Sequence, residues 1–212
     1  MKKLESSITN MVVVLVGVAL ITGAILAYVN NITTAPIQAQ AEKTLTDGIK
    51  KVMGGSDDIK VVSNDTVKQE FKGKQLAYVI HVTQDSKGNN LGAAVESSST
   101  GFGGELKVLV GFNPNGDILG YTILQTAETP GLGAKAQDWF QKDGKGNIIG
   151  MNPSSELTVS KDGGKVNAIT ASTITSRAFL LAVNNAYKAY SSKKCNTSVD
   201  AASGATEVNK NK

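Results

Sequence analysis

The stretch VNAITASTITSRAF, residues 166–179, concentrates hydroxyl side chains directly before the only arginine of the chain, Arg177. The hydroxyl residues are Thr170, Ser172, Thr173, Thr175 and Ser176. An apolar pattern with helical spacing follows from about Thr175, at Phe179, Ala182, Val183, Ala186 and Tyr190. The stretch therefore predicts a turn that leads into an amphipathic helix, with the hydroxyls near the helix N-terminus.

Hydroxyls at such a position have three chemical uses. They can cap the helix, coordinate a phosphate, or serve as nucleophiles. One hydroxyl is enough for a cap, whereas the unpaired N–H groups and partial positive charge of a helix N-terminus favour a phosphate. Residues 166–179 alone leave the three uses open.

The composition of the chain describes one membrane anchor and one domain of ordinary size. Its 212 residues are 41% hydrophobic and 19% charged, as in a globular protein. The net charge of +4 is small and spread along the chain, so we expect no nucleic-acid partner. The single cysteine, Cys195, can form no internal disulfide and indicates no metal site.

Residues 11–29, MVVVLVGVALITGAILAYV, predict a transmembrane helix. No charged residue lies within residues 6–41, and about 20 apolar residues at 1.5 Å rise cross the hydrocarbon core of a membrane. Lys2 and Lys3 place the N-terminus in the cytoplasm by the positive-inside rule, so the rest of the chain is expected outside it. Two alternatives stay open: a signal cleaved after the A-x-A pattern of residues 39–41, and a pilin-type N-terminus, to which Glu5 points.

The part beyond the membrane is expected to be one α+β domain on a stalk, with an antiparallel sheet and flanking helices. A stalk helix is predicted with Pro36 in its first turn and an end at Gly54. The strands are predicted at residues 59–63, 75–83, 91–96, 105–112 and 117–124, followed by a loop at 127–133 and a short helix at 134–141. The resulting divisions are a cytoplasmic N-terminus (1–10), a transmembrane helix (11–30), a stalk helix (31–55), a folded domain (56–191) and a loose polar tail (192–212).

Three segments, in this order and spacing, resemble the FMN-binding domain shared by the RnfG and NqrC subunits of ion-translocating redox complexes. Residues 170–175, TASTIT, are similar to the S/T-G-A-T-x-T flavinylation motif. Residues 101–112, GFGGELKVLVGF, and residues 128–135, ETPGLGAK, are similar to two further segments of that family. With the N-terminal anchor, the resemblance covers nearly the whole chain.

The resemblance implies that FMN is joined through its phosphate to the hydroxyl of Thr175. Family members are modified by an ApbE-type flavin transferase, which takes FMN from FAD with the help of a divalent metal. Ser172 and Thr173 would orient the phosphate and backbone, and Thr170 would cap the turn, with a plain capping role as the alternative for each. Ser176 is also counted among the FMN-binding residues. Arg177 would neutralise the phosphate charge or lie in solvent. Ala171 and Ser172 depart from the family glycine and alanine, and Asn167 stands where the family often has aspartate.

The segment ETPGLG is implied to lie beside the flavin. Its residues are Glu128, Thr129, Pro130, Gly131, Leu132 and Gly133. Proline fixes a turn, the glycines allow close approach of the backbone to a flat ring, and leucine can pack on that ring. An ordinary Pro-Gly turn is the alternative.

Two other features are given no functional role. Residues 200–208, DAASGATEV, contain a literal S-G-A-T, but Val208 at the final motif position has no hydroxyl, so modification of Thr206 is only an alternative. His81 alternates within a strand pattern and is expected to be a surface or half-buried residue.

The resulting functional hypothesis is a redox subunit, not a complete enzyme alone, with covalent FMN outside the cytoplasmic membrane. It would pass electrons within a multi-subunit complex that couples ferredoxin and NAD to sodium or proton movement. An NqrC-like subunit that feeds quinone reduction, a free-standing exported flavoprotein and a non-redox extracellular binding module are the alternatives.

Overall fold

A computed structural model describes residues 8–55, 58–71 and 74–203. The chain divides into two compact units, Met1–Leu45 and Thr46–Lys212. Lys2, Lys3, Thr206 and Val208, on which parts of the sequence interpretation rest, lie outside the described residues.

Helix α1, Ile8–Val52, contains both the predicted membrane segment and the predicted stalk. It is the one helix, among the residues that the structure describes, that is long and apolar enough to cross a membrane. Large apolar side chains are exposed along it from Ile8 to Ile37. The expectation that Pro36 begins a separate helix is wrong, because Pro36 lies inside α1, which continues through it to Val52.

The second unit is built on a five-stranded antiparallel sheet with the strand order β1-β2-β3-β4-β5. The strands are β1 (Lys60–Phe71), β2 (Lys74–Gln84), β3 (Asn90–Thr100), β4 (Glu105–Phe112) and β5 (Ile118–Thr126). Each strand pairs with the next along the chain, as expected for short connections such as residues 85–89 and 113–116. The α+β class and the antiparallel sheet are confirmed, although β1 and β3 extend well beyond their predicted ends.

One face of the sheet packs against α3, Thr173–Ser203, and forms the main core. A central row across the sheet pairs Ile80 with Val95, Val95 with Val110, and Val110 with Tyr121, and all four side chains are buried. Phe179 of α3 stacks on Phe140 at 4.4 Å between ring centroids. α3 continues to Ser203, so it includes the first residues of the tail that was predicted from residue 192.

The opposite face is covered by the last turns of α1. Val52 packs so closely on Gly111 and Gly120 that a Cβ at Gly120 would lie 3.1 Å from the Val52 Cα. Gly48 permits a similar approach, since a Cβ there would lie 3.2 Å from Leu109. Both faces of the central strands are therefore buried. The alternation of apolar and polar residues within one strand does not reveal this.

A short 3₁₀ turn, Gly133–Lys135, and helix α2, Ala136–Trp139, follow β5. The hydroxyl of Tyr121 donates a hydrogen bond to the Ala136 carbonyl at 2.7 Å. Burial raises the pKa of this phenol, so it remains a donor. This hydrogen bond from Tyr121 holds the loop between β5 and α2 at one end of the sheet, beside the N-terminus of α3.

Candidate functional site

The hydroxyl cluster lies at the N-terminus of α3, as the sequence predicts. A tight turn precedes the helix, in which the Ser172 N–H donates to the Ile169 carbonyl at 3.0 Å. Ala171 occupies this turn with φ 62°, the only left-handed residue other than glycine in the part of the chain that the structure describes. The backbone thus keeps the conformation that the family glycine would favour, at a cost of about 1–2 kcal/mol for the added Cβ.

The hydroxyls differ in what they contact. Ser176 is fully buried; its Oγ donates to the Ser172 carbonyl at 3.0 Å and accepts from the Ile169 N–H at 2.9 Å, which ties the turn to the helix. Thr173 accepts from Lys161 Nζ at 3.4 Å, and Thr170 is exposed. Of these hydroxyls, Ser176 stabilises the turn that precedes α3.

Thr175 is different, because its hydroxyl meets a carboxylate from another part of the chain. Thr175 is 1% exposed, and its Oγ1 donates to Glu128 Oε2 at 2.9 Å. Glu128 Oε1 accepts from the backbone N–H groups of Phe102 at 2.7 Å and Gly103 at 3.2 Å. The carboxylate therefore joins the β3–β4 connection, the loop after β5 and the first turn of α3.

Glycines make this junction possible. A Cβ on Gly133 would lie 2.8 Å from Thr175 Oγ1 and would also collide with the Glu128 carboxylate. A Cβ on Gly101 or Gly103 would likewise collide with Glu128 or the Ala127 backbone. Gly131, with φ 78°, follows Pro130 in a turn closed by the Leu132 N–H and the Thr129 carbonyl at 3.2 Å, the geometry of a type II turn.

A cavity of about 430 Å³ opens above Thr175. It is lined by Phe102, Glu128, Thr129, Leu132, Gly133, Ala171, Ser172, Thr173, Ile174 and Thr175. Phe102, Leu132 and Ile174 are exposed apolar side chains, at 73%, 44% and 53%. The cavity thus combines a polar floor with an apolar rim, the usual composition of a small-molecule site.

The structure brings most of the predicted residues to this cavity, but not all of them. Thr170, Ser176, Pro130, Gly131 and Arg177 do not line it. Arg177 instead forms a bidentate ion pair with Asp162, at 2.7 Å for both nitrogens. Phe102 and Ile174 were missed; the position of Phe102 between two glycines of the segment GFGG was the available signal.

A second polar cluster lies on the α1 side of the sheet. His81 is buried, so the expectation of a surface or half-buried residue is wrong. Its ring nitrogens lie 2.8 Å from Glu96 Oε1 and 2.8 Å from Asn64 Oδ1. Lys107 Nζ lies 2.5 Å from Glu96 Oε2. These groups form hydrogen bonds and an ion pair with one another, and none of them lines the cavity above Thr175.

Comparison with known proteins assigns the cavity to a recognised class of domain. The family model described as the FMN-binding domain matches residues 101–188, which include the β3–β4 connection, the loop after β5 and the start of α3. Residues 101–188 are therefore assigned to an FMN-binding domain. Their cavity offers a buried hydroxyl, glycine-lined backbone and a helix N-terminus, which suit a cofactor that carries a phosphate.

The relatives define the family more closely. The chain is 31% identical to the G subunit of the Na(+)-translocating ferredoxin:NAD(+) oxidoreductase complex of Acetobacterium woodii, over 82% of this chain and 86% of the relative. It is 33% identical to the proton-translocating counterpart from Clostridium ljungdahlii, over 78% and 82%. It is 27% identical to the G subunit of the ion-translocating oxidoreductase complex of Methanosarcina acetivorans, over 86% and 94%. The chain belongs to the family of G subunits of ion-translocating oxidoreductase complexes.

Proposed function

We propose that this chain is the flavin-carrying electron-transfer subunit of an ion-translocating ferredoxin:NAD oxidoreductase complex, and that Thr175 carries its FMN as a phosphoester. The names of the relatives from Acetobacterium woodii and Clostridium ljungdahlii support the complex. The match to the FMN-binding domain supports the cofactor. The coupling ion differs between these two relatives, so the proposal covers either sodium or protons.

The observation that carries the proposal is the position of the Thr175 hydroxyl. Thr175 is an alcohol at the base of the cavity, in the first turn of α3. The first N–H groups of a helix lack intrahelical acceptors and attract a phosphate. A phosphate on Thr175 would lie at this helix end, while Ser176 uses its hydroxyl within the turn and neither Ser176 nor Thr170 lines the cavity.

The rim of the cavity suits the ring system of the same cofactor. Phe102, Leu132 and Ile174 expose apolar surface that a flat aromatic ring would cover. When bound, FMN supplies the redox chemistry, and the protein supplies position, exclusion of water and tuning of its potential. We therefore assign ring contact to these three residues and phosphate contact to the start of α3.

The membrane helix bears on the side of the membrane on which the FMN-binding domain lies. α1 makes the chain a single-pass membrane protein, and we place its FMN-binding domain on the outer side of the cytoplasmic membrane because Lys2 and Lys3 precede the apolar segment. An ApbE-type transferase would then act on the domain during maturation. A covalent bond would keep the flavin from being lost outside the cytoplasm.

The attachment is tested by producing the full-length chain together with a flavin transferase. After denaturing electrophoresis, we expect flavin fluorescence on the wild-type band and on Thr175→Ser, which retains a hydroxyl. Thr175→Val should be dark, and the matched control Thr173→Val in the same helical turn should stay fluorescent. Fluorescence on Thr175→Val would contradict attachment at Thr175, and a dark wild-type band beside a known flavinylated protein would contradict covalent binding altogether.

A further inference from the structure

We propose that Glu128 is the base that accepts the hydroxyl proton of Thr175 when the flavin is attached, so that this chain supplies a catalytic residue for its own modification. The proposal rests on the attachment at Thr175 proposed above. It assigns to the chain a chemical step that would otherwise be left wholly to the transferase.

The geometry meets the first requirement for a base. Glu128 Oε2 lies 2.9 Å from Thr175 Oγ1, within the roughly 2.6–3.2 Å over which a proton can be transferred directly. The Thr175 hydroxyl already donates its proton toward this oxygen. Transfer therefore requires no rearrangement of either side chain.

The carboxylate is also held in one orientation. Its other oxygen is fixed by the N–H groups of Phe102 and Gly103, and the Glu128 N–H donates to Thr126 Oγ1 at 3.1 Å. These donors leave Oε2 directed at Thr175. Gly133 completes the arrangement, since any larger residue there would separate the two groups.

Among the residues that the structure describes, no cationic side chain forms an ion pair with the carboxylate of Glu128. Its carboxylate is held by two backbone N–H groups and one hydroxyl, all of them neutral. Lys161, the cation near the hydroxyl cluster, contacts Thr173 instead, and Arg177 is paired with Asp162. A carboxylate that faces a hydroxyl and an open cavity, with neutral donors around it, is arranged for proton transfer.

The step balances with FAD as the flavin donor. The O–H bond of Thr175 breaks, and its proton passes to Glu128 Oε2. The Thr175 oxygen forms a bond to the flavin-side phosphorus of FAD, while the phosphoanhydride bond breaks and AMP leaves with the electron pair of that bond. No group is oxidised or reduced. The protonated Glu128 is neutral, so it does not repel the new phosphodiester and later returns its proton to water.

The test measures the rate at which the full-length chain is modified by a flavin transferase with FAD and Mg²⁺, using intact mass as the readout. Glu128→Gln keeps an acceptor for the two N–H groups and a polar atom beside Thr175 but removes the base. We expect its kcat as a transferase substrate to fall about 100-fold or more, with KM little changed. Glu156→Gln, an exposed glutamate at a different cavity, is the matched control and should react like wild type.

Chemical rescue separates a base from a merely structural carboxylate. Glu128→Ala, or Glu128→Gly if only that variant keeps the wild-type circular dichroism spectrum, should regain at least tenfold in rate when formate is added, while chloride at the same ionic strength has no effect. A wild-type rate in Glu128→Gln, or no rescue by formate in a folded variant, would overturn the proposal. If wild type itself gains no flavin on Thr175, the proposed function has failed and not only the role of Glu128.

Discussion

Glu96 and Glu128 are buried to nearly the same extent, at 7% and 8% exposure, yet their surroundings differ in kind. Glu96 lies between His81 and Lys107 on the α1 face of the sheet. Glu128 lies at the end of the sheet and is held by backbone N–H groups and the Thr175 hydroxyl. The first carboxylate therefore links neighbouring strands of the sheet, whereas the second contacts a hydroxyl that lines the cavity.

The electrostatics of Glu96 follow from its partners. Burial alone would raise the pKa of Glu96, but hydrogen bonds from His81 and Lys107, together with the Lys107 charge, hold it below its ordinary value. The carboxylate is thus stable as an anion. We infer that this cluster fixes the pairing of β2, β3 and β4 and plays no part in flavin chemistry.

Glu96→Ala is predicted to have the strongest effect, which is on stability. Removing the carboxylate leaves the buried ring of His81 without one of its two hydrogen-bond partners and Lys107 without its ion-pair partner. An unsatisfied buried polar group costs about 1–3 kcal/mol. Urea unfolding of the full-length chain in detergent measures this loss. Glu105→Ala, an exposed residue on β4, is the control and should change stability little. Flavin attachment to folded Glu96→Ala should proceed at the wild-type rate; a selective loss of attachment would abolish the distinction between the two glutamates.

The second-largest effect is expected from Gly133→Ala, beside Glu128, and it concerns flavin incorporation. The added Cβ would push Thr175 and Glu128 apart, so flavin incorporation should fall at least tenfold, and overpacking should cost about 1–3 kcal/mol. Incorporation is followed by fluorescence of the denatured protein. Gly131→Ala separates the causes, because its Cβ meets open space while its left-handed backbone is strained. Equal losses in both variants would indicate loop strain instead of contact with Thr175.

A weaker effect is the acid sensitivity of the Glu96 cluster. The pKa of Glu96 is lower in the folded than in the unfolded chain, so its stabilisation is complete above the ordinary glutamate pKa of about 4.3 and is lost as pH falls through the folded value. Unfolding free energy should therefore decline with pH below about 4. Glu96→Gln should flatten this decline, and an unchanged slope in that variant would assign the acid sensitivity to other carboxylates.

The weakest effect concerns the strained turn beside Thr175. Ala171→Gly relieves the left-handed Cβ, so stability should rise by up to about 1 kcal/mol despite the greater freedom of glycine when unfolded. Ala77→Gly, in an exposed position on β2, should instead lower stability by about 0.5–1 kcal/mol. Thermal unfolding of both variants makes the comparison. A loss in Ala171→Gly equal to that in Ala77→Gly would contradict strain at this turn.

The sequence predicted the fold where local pattern and tertiary structure agree. Turn residues and apolar alternation placed β4 at 105–112 as observed, and the hydroxyl cluster placed the start of α3 within two residues of Thr175. The pattern failed for His81, because its ring contacts Asn64 of β1 and Glu96 of β3, and alternation within β2 alone does not reveal these partners. It also failed at Pro36, which lies inside α1 and does not mark a helix boundary.

The candidate site was only partly predictable for a similar reason. Thr175 and Glu128 were both selected, but from a family resemblance, and nothing in their spacing indicates that they form a hydrogen bond. That contact depends on where the β5–α2 loop meets the start of α3. Arg177 was considered for the phosphate because of its position in sequence, yet Asp162 holds it in an ion pair. Phe102 reaches the cavity through the β3–β4 connection, whose position depends on the whole sheet.

Attachment of FMN to Thr175 is best tested by peptide mass spectrometry of the chain isolated from native membranes under denaturing conditions. Fragmentation should locate one FMN moiety on Thr175, within the peptide that ends at Arg177, and no flavin elsewhere. An FMN moiety on Thr173 or Thr206, or an unmodified Thr175 peptide in membranes where other proteins are flavinylated, would contradict this attachment.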